Sequence, residues 1–115
     1  MADLEFNKND DKMRLLISEM KRKYATVSLG GGNKKIEKQH KKGKLTARER
    51  IEYLKDTDAN FLEIGAFVGD GMYEEYGGCP SGGVVAGITY VKDKQCIVVA
   101  NDATVKAGAW FPITA

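Results

Sequence analysis

The residues best placed to do chemistry lie in Gln95 to Ala109, QCIVVANDATVKAGA, where an apolar run gives way to a polar turn and then to small residues. Cys96 to Ala100 has the length and β-branched content of a strand buried on both faces. Asn101 and Asp102 then suit a turn, because their side chains bond to nearby backbone. Past the turn, Ala107, Gly108 and Ala109 let a ligand or a second backbone come close, and exposed N–H groups in such a loop can hold an oxyanion. The same pattern also suits an ordinary strand end followed by a small-residue crossing, and spacing alone does not separate the two readings.

Other candidate chemistry is thinner. Cys79 and Cys96 stand 17 positions apart with no CxxC, and His40 is the single histidine, so neither a zinc site nor a disulfide framework is suggested. Gly30, Gly31 and Gly32 invite a phosphate-loop reading, but they follow a helical pattern instead of a strand and lack both GxGxxG and GxxxxGK[ST]. Charge is uneven along the chain. Residues 1–60 hold 15 Lys and Arg against 10 Asp and Glu, and residues 61–115 hold 3 against 6, so a net +2 conceals a basic first half. Nine cations fall within residues 34–55. Such density is usually a solvated face, but it also suits phosphates of a nucleotide-like ligand or of nucleic acid. Against nucleic acid, the segment has no aromatic stacking platform and no recognisable binding motif.

Several elements must position the 95–109 stretch. Met13, Leu16, Ile17, Met20, Tyr24 and Val27 mark one face of a helix over 10–27, with Asn9 or Asp10 as its cap and the glycines at its end. That stripe needs something to lie against, in this domain or on a partner chain. Asn33 to Lys42 reads as a solvated helix, and Gly43 breaks it. Thr46-Ala47-Arg48-Glu49 matches the capping box and starts a third helix with Ala47, Ile51 and Leu54 as its apolar edge. Arg48 and Arg50 sit about 200° apart on it, at roughly 100° per residue, so one is expected to be paired inward and the other solvated. Leu62, Ile64, Ala66 and Val68 alternate as the inner side of a half-buried strand. Val84 to Val91 and Gln95 to Ala100 form an antiparallel hairpin across Lys92-Asp93-Lys94. Between them Asp70 to Gly83 is a long loop of the kind that is functional or mobile.

No apolar run approaches the roughly 20 residues needed to cross a bilayer, and MADLEFNKNDDK lacks the apolar centre of a signal peptide. A cytoplasmic protein is expected. The ending WFPITA follows what reads as the entry to a new element, as expected of a piece of something longer.

Taken in order, GGGNKKIEKQHKKGKLTARERIEYL, FLEIGAF, PSGGVVAGITYV and IVVANDATVKAGAWFPIT resemble the N-terminal part of the carboxyltransferase (β) subunit of biotin-dependent acyl-CoA carboxylases. The likeness covers roughly Gly30 to Ala115 and is closest to the methylcrotonyl-CoA type, whose pattern is NDATVKGGA. It implies an α/β fold class. Basic N-terminal helices over 1–60 would precede the start, over 61–115, of a crotonase-like (ClpP/crotonase) domain of β-β-α units coiled into a spiral.

The resemblance also implies an activity: carboxyl transfer from carboxybiotin to an acyl-CoA through an enolate-type intermediate. Biotin would be carried by a partner, the biotin carboxylase or biotin carrier subunit, and the β subunit would form a homo-oligomer. No metal, nucleic acid or membrane is implied. Lys106, Ala107, Gly108 and Ala109 would line the acyl-CoA, with Lys106 within reach of a CoA phosphate. Ala107 stands where a glycine is typical, which puts direct backbone contact there in question. The oxyanion glycines of a DSGGA-type motif are not in this sequence, so no catalytic residue is assigned and the chain by itself is expected to be inactive. A basic nucleic-acid-binding or assembly module without chemistry is the alternative.

Overall fold

The computed structural model describes residues 2–115, and its elements follow the order α1 (Ala2–Val27), α2 (Asn33–Lys41), α3 (Ala47–Leu54), β1 (Leu62–Ile64), β2 (Val84–Val91) and β3 (Lys94–Asn101). The strands make one antiparallel sheet in the order β1-β2-β3, with α3 packed on one face. Ala47 and Ile51 of α3 meet Val85, with Phe61, Val98 and Ala100 packed around them.

The third helix begins where the sequence places it. Thr46 Oγ1 accepts from the Glu49 N–H at 3.3 Å, and the Glu49 carboxylate accepts from the Thr46 N–H at 3.4 Å, which satisfies two donors that a helix start leaves free. His40 Nε2 lies 2.7 Å from Glu49 Oε1, tying α2 to that start. The hydrogen bond from His40 comes first in holding the Glu49 carboxyl below its ordinary pKa.

The hairpin is fixed at its turn. Lys92 and Asp93 both have positive φ, 50° and 64°, a geometry that usually selects Asn-Gly. Here Asp56 supplies the compensation, its carboxylate accepting from the N–H of Lys92 at 2.7 Å and of Asp93 at 2.9 Å. The register that follows pairs Val91 with Lys94 and Val84 with Asn101, so β3 delivers Asn101 and Asp102 at the sheet edge beside Gly83.

Two strands differ from the sequence expectation. β3 is covered on one face only, because Ile97 and Val99 are exposed while Val98 and Ala100 turn toward α3. In β1 the inward residue is Glu63, and Leu62 and Ile64 lie outside, with Ala66 and Val68 beyond the strand. Both results have one cause: α3 covers a single face of the sheet. Across the outer face, Leu62, Ile88 and Ile97 align as one row, and Ile64, Ala86 and Val99 as the next.

The first helix also departs from expectation. It runs through Asn9 and Asp10 to begin at Ala2, and Asp10 pairs with Arg14 at 2.9 Å instead of capping. Only Val27 is buried, and Met13, Leu16 and Met20 are more than half exposed. Most of α1 therefore projects from the body. The radius of gyration is 17.2 Å, where a compact chain of this length has about 13 Å. Leu54 of α3, expected on the apolar edge, is likewise half exposed. No helix among the described residues is long and apolar enough to cross a membrane.

Candidate functional site

The loop Asp102 to Ala109 is built from its base upward. Asp102, nearly buried at the end of β3, accepts from the Thr104 N–H at 2.9 Å and from the Thr104 hydroxyl. Thr104 Oγ1 accepts in turn from the Gly31 N–H at 2.9 Å. The triple glycine therefore serves as a seat for this loop. A Cβ at Gly30 would run into the Asp102 carboxylate, and one at Gly31 into the Thr104 carbonyl. The close approach needs glycine.

From that base the chain enters three consecutive left-handed residues, Lys106, Ala107 and Gly108, with φ of 46°, 53° and 85°. A residue with a Cβ loses roughly 1–2 kcal/mol in that region, and Lys106 and Ala107 both carry one. Across residues 104–109 the donors divide sharply. Thr104 and Val105 donate to Asp102, Gly108 donates to the Val105 carbonyl at 2.9 Å, and Ala109 donates to the Lys106 carbonyl at 3.0 Å. Among the described residues no acceptor is found for the N–H of Lys106 or Ala107. Both residues are exposed, and neither N–H is spent on an acceptor among the described residues.

An aromatic platform backs the loop. Tyr73 stacks on Phe111 with ring centres 4.3 Å apart, Tyr76 lies 6.1 Å from the same ring, and Phe111 is buried with Cys79 and Val105. The Lys106 ammonium is 4.1 Å from the Phe111 ring centre. Burial pushes the Cys79 thiol above its ordinary pKa, partly offset by Thr114 and by the charge of Lys106. Cys79 is thus a packed thiol and not an activated one.

Beside the loop, a cleft of 420 Å³ opens between the start of α3 and the end of β3, lined by Lys44, Thr46, Arg50, Asn101, Asp102 and Thr104 among others. Of the nine cations in residues 34–55, Lys44 and Arg50 are the two that line it.

Arg48 has a different task. Its guanidinium donates to both oxygens of Glu63, at 2.7 and 2.8 Å, and Glu63 also accepts from the Tyr24 hydroxyl at 2.7 Å. Burial raises the Glu63 pKa, but the hydrogen bonds from Arg48 and Tyr24 outweigh it, and the carboxyl sits below its ordinary value. Burial likewise lowers Arg48, and Glu63 more than restores it. Of the two arginines, the inward paired one is Arg48, while Arg50 is exposed, as the helix geometry requires. This cluster fastens α1, α3 and β1 together.

The comparisons with known proteins decide the family. The carboxyl transferase domain family matches residues 38–115. The chain belongs to that family. It is 44% identical over 110 residues to the probable methylcrotonoyl-CoA carboxylase beta chain, mitochondrial, of Drosophila melanogaster, covering 96% of this chain and 19% of that protein. It is 42% identical over 105 residues to the biotin-dependent 3-methylcrotonyl-coenzyme A carboxylase beta1 subunit of Mycobacterium tuberculosis, covering 90% and 19%. Among solved structures, the transcarboxylase 12S hexamer core with methylmalonyl-coenzyme A bound matches with a TM-score of 0.73 at 32% identity, over 84% of this chain and 19% of that one. The geranyl-CoA carboxylase beta subunit of P. aeruginosa matches with a TM-score of 0.57 at 30% identity, over 90% and 17%. The α/β class, as the start of a crotonase-like domain, therefore stands. The chain spans about a fifth of the length of the curated relatives it matches.

Sequence reasoning grouped Lys106 to Ala109 as one lining. The structure keeps them in one loop but divides their N–H groups, leaving free those of Lys106 and Ala107. It also brings in Tyr73, Tyr76 and Phe111, which sequence reading left out because their pairing joins an irregular loop to the far end of the chain.

Proposed function

We propose that the chain is part of the carboxyltransferase subunit of a biotin-dependent acyl-CoA carboxylase of the methylcrotonyl-CoA type. In this reading residues 61–115 open the carboxyltransferase N-domain, and residues 1–60 are its basic helical lead. The Lys106–Ala109 turn lines the acyl thioester. The single observation that carries this is the pair of neighbouring free N–H groups at Lys106 and Ala107, on a turn otherwise satisfied from within. Fixed donors of this kind stabilise the negative oxygen of a thioester enolate more than the neutral carbonyl, which is how carboxylation at the adjacent carbon is promoted. Gly108 and Ala109 contribute shape, since their donors are already spent. Lys44 and Arg50 line the neighbouring cleft with charge that suits the phosphates of CoA.

Biotin supplies the carboxyl group when a partner presents it. No residue of this chain is assigned to hold it. The partners proposed are a biotin carboxylase or biotin carrier subunit and further copies of the β subunit. Relatives bear names of mitochondrial chains as well as of a bacterial subunit, and a cytoplasmic placement remains part of the proposal.

The test has two arms. Methylcrotonyl-CoA added to the labelled chain should shift the amide resonances of Lys106 and Ala107 more than those of Gly108 and Ala109, and unchanged amides would remove the thioester assignment. Carboxyl exchange between carboxybiotin and methylcrotonyl-CoA should stay at the no-protein blank. Loss of one oxyanion donor costs about a hundredfold or more, and the DSGGA-type donors are absent from this sequence. Turnover above the blank would place the chemistry within these residues.

A further inference from the structure

Lys106 reads at first as a phosphate ligand, a long cation at the head of a loop that lines an acyl-CoA. The geometry points to another role, which rests on that reading of the loop. The Lys106 ammonium is 4.1 Å from the centre of the Phe111 ring and 5.7 Å from that of Tyr76. Tyr73 is already stacked on Phe111 at 4.3 Å. Two groups this close to one ring centre occupy its opposite faces, so Phe111 is held between a tyrosine and an ammonium. The ring is itself fixed: it is buried, and its backbone N–H donates to Thr114 Oγ1 at 3.1 Å. Among the described residues no carboxylate pairs with Lys106. The partner of its charge is the aromatic face, which attracts an ammonium through the ring quadrupole.

We propose that Lys106 is a positioning residue, its ammonium clipped onto Phe111 to hold Lys106, Ala107 and Gly108 in their left-handed turn and so to aim the free N–H groups of Lys106 and Ala107 at the thioester oxygen. Left-handed backbone in residues that carry a Cβ persists only when surrounding structure holds it. Here the side chain of the first such residue reaches forward five positions and closes the segment from 106 to 111. An ammonium engaged in this way is turned toward the platform, and phosphate binding falls to other cations.

Two variants test this in the full 115-residue chain. Lys106→Met keeps the apolar stem and removes the charge. Lys106→Arg keeps a cation that also stacks on aromatic faces. The first readout is the backbone carbon shifts of residues 106–108. Lys106→Met should lose their left-handed signature and Lys106→Arg should keep it, with the rest of the spectrum and the urea midpoint showing that the fold persists. The second readout is affinity for crotonyl-CoA and for crotonyl-pantetheine, which lacks the nucleotide phosphates. Lys106→Met should weaken both by the same factor, roughly two- to thirtyfold, and Lys106→Arg should restore both.

Left-handed shifts retained in Lys106→Met would overturn the proposal. So would a loss confined to crotonyl-CoA, which is the mark of a phosphate contact. If neither thioester moves the loop amides of the unaltered chain, the assignment under Proposed function falls, and the backbone shifts alone then decide the role of Lys106.

Discussion

Replacing Arg48 with Met isolates what the Arg48–Glu63–Tyr24 cluster contributes. Glu63 has a side chain only 7% exposed and Arg48 one that is 26% exposed, and the two share a pair of short hydrogen bonds. Removing one partner of a fully buried pair costs about 3–5 kcal/mol, because a charge is left buried without compensation. Arg48 retains contact with water and Glu63 keeps the Tyr24 hydroxyl, so the expected loss is smaller, about 2–3 kcal/mol at pH 7. The pH dependence has a definite sign. The folded pKa of Glu63 is depressed, so its contribution is complete above the unfolded carboxyl value of about 4.3 and fades as pH falls through the lower folded value. In Arg48→Met the buried carboxyl protonates more readily, and the gap between the two proteins should narrow as pH drops from 7 toward 3. Urea unfolding across that range measures it, with the slope m unchanged if the same surface is exposed. A loss below about 0.5 kcal/mol at pH 7, or a gap that does not narrow in acid, would refute a buried, charge-compensated clamp.

Two further outcomes follow from the loop. Ala107→Gly should stabilise the chain by about 0.5–1 kcal/mol, the relief of a left-handed Cβ less the added freedom of the unfolded state, read as a shift in urea midpoint. Gly31→Ala should cost more than about 2 kcal/mol, because its Cβ would meet the Thr104 carbonyl at the base of the loop. Loss of the hydrogen bond to Thr104, seen as faster exchange of the amide at position 31 in the variant, distinguishes this from a general loss of helix.

The elements that sequence reading located well are those with a local cause. The capping box at Thr46 and Glu49 is a four-residue arrangement, and the hairpin from Val84 to Asn101 follows from two β-branched runs and a short polar turn. The glycines at 30–32 follow the end of α1 as the pattern requires, but their closer purpose depends on Thr104, 73 residues away from Gly31. No periodicity carries that information. The start of α1 lies upstream of the expected cap because Asn9 and Asp10, good caps, are also tolerated inside a helix when their side chains face solvent. Asp10 does so, paired with Arg14.

The strands show where pattern and structure part. A run such as Cys96 to Ala100 records which residues favour burial, and that preference extends to Ile97 and Val99 on a face that α3 does not reach. β1 inverts for a reason that also makes it useful. Phe61 packs with α3, and alternation places Glu63 on the same side, where hydrophobicity alone would reject it. Arg48, one turn before Ile51 on the same helix, supplies the charge that makes this register acceptable. Gly87, opposite Glu63 in β2, leaves room for the Leu62 carbonyl and the Phe61 ring. A carboxylate, a guanidinium and a missing Cβ thus set which face of β1 turns inward. The same logic governs the candidate site. In both places the apolar pattern marks the strand, while its exact presentation is set by polar and aromatic partners distant in sequence: Glu63 by Arg48 and Tyr24, and the 106–108 turn by Thr104, Tyr73 and Phe111.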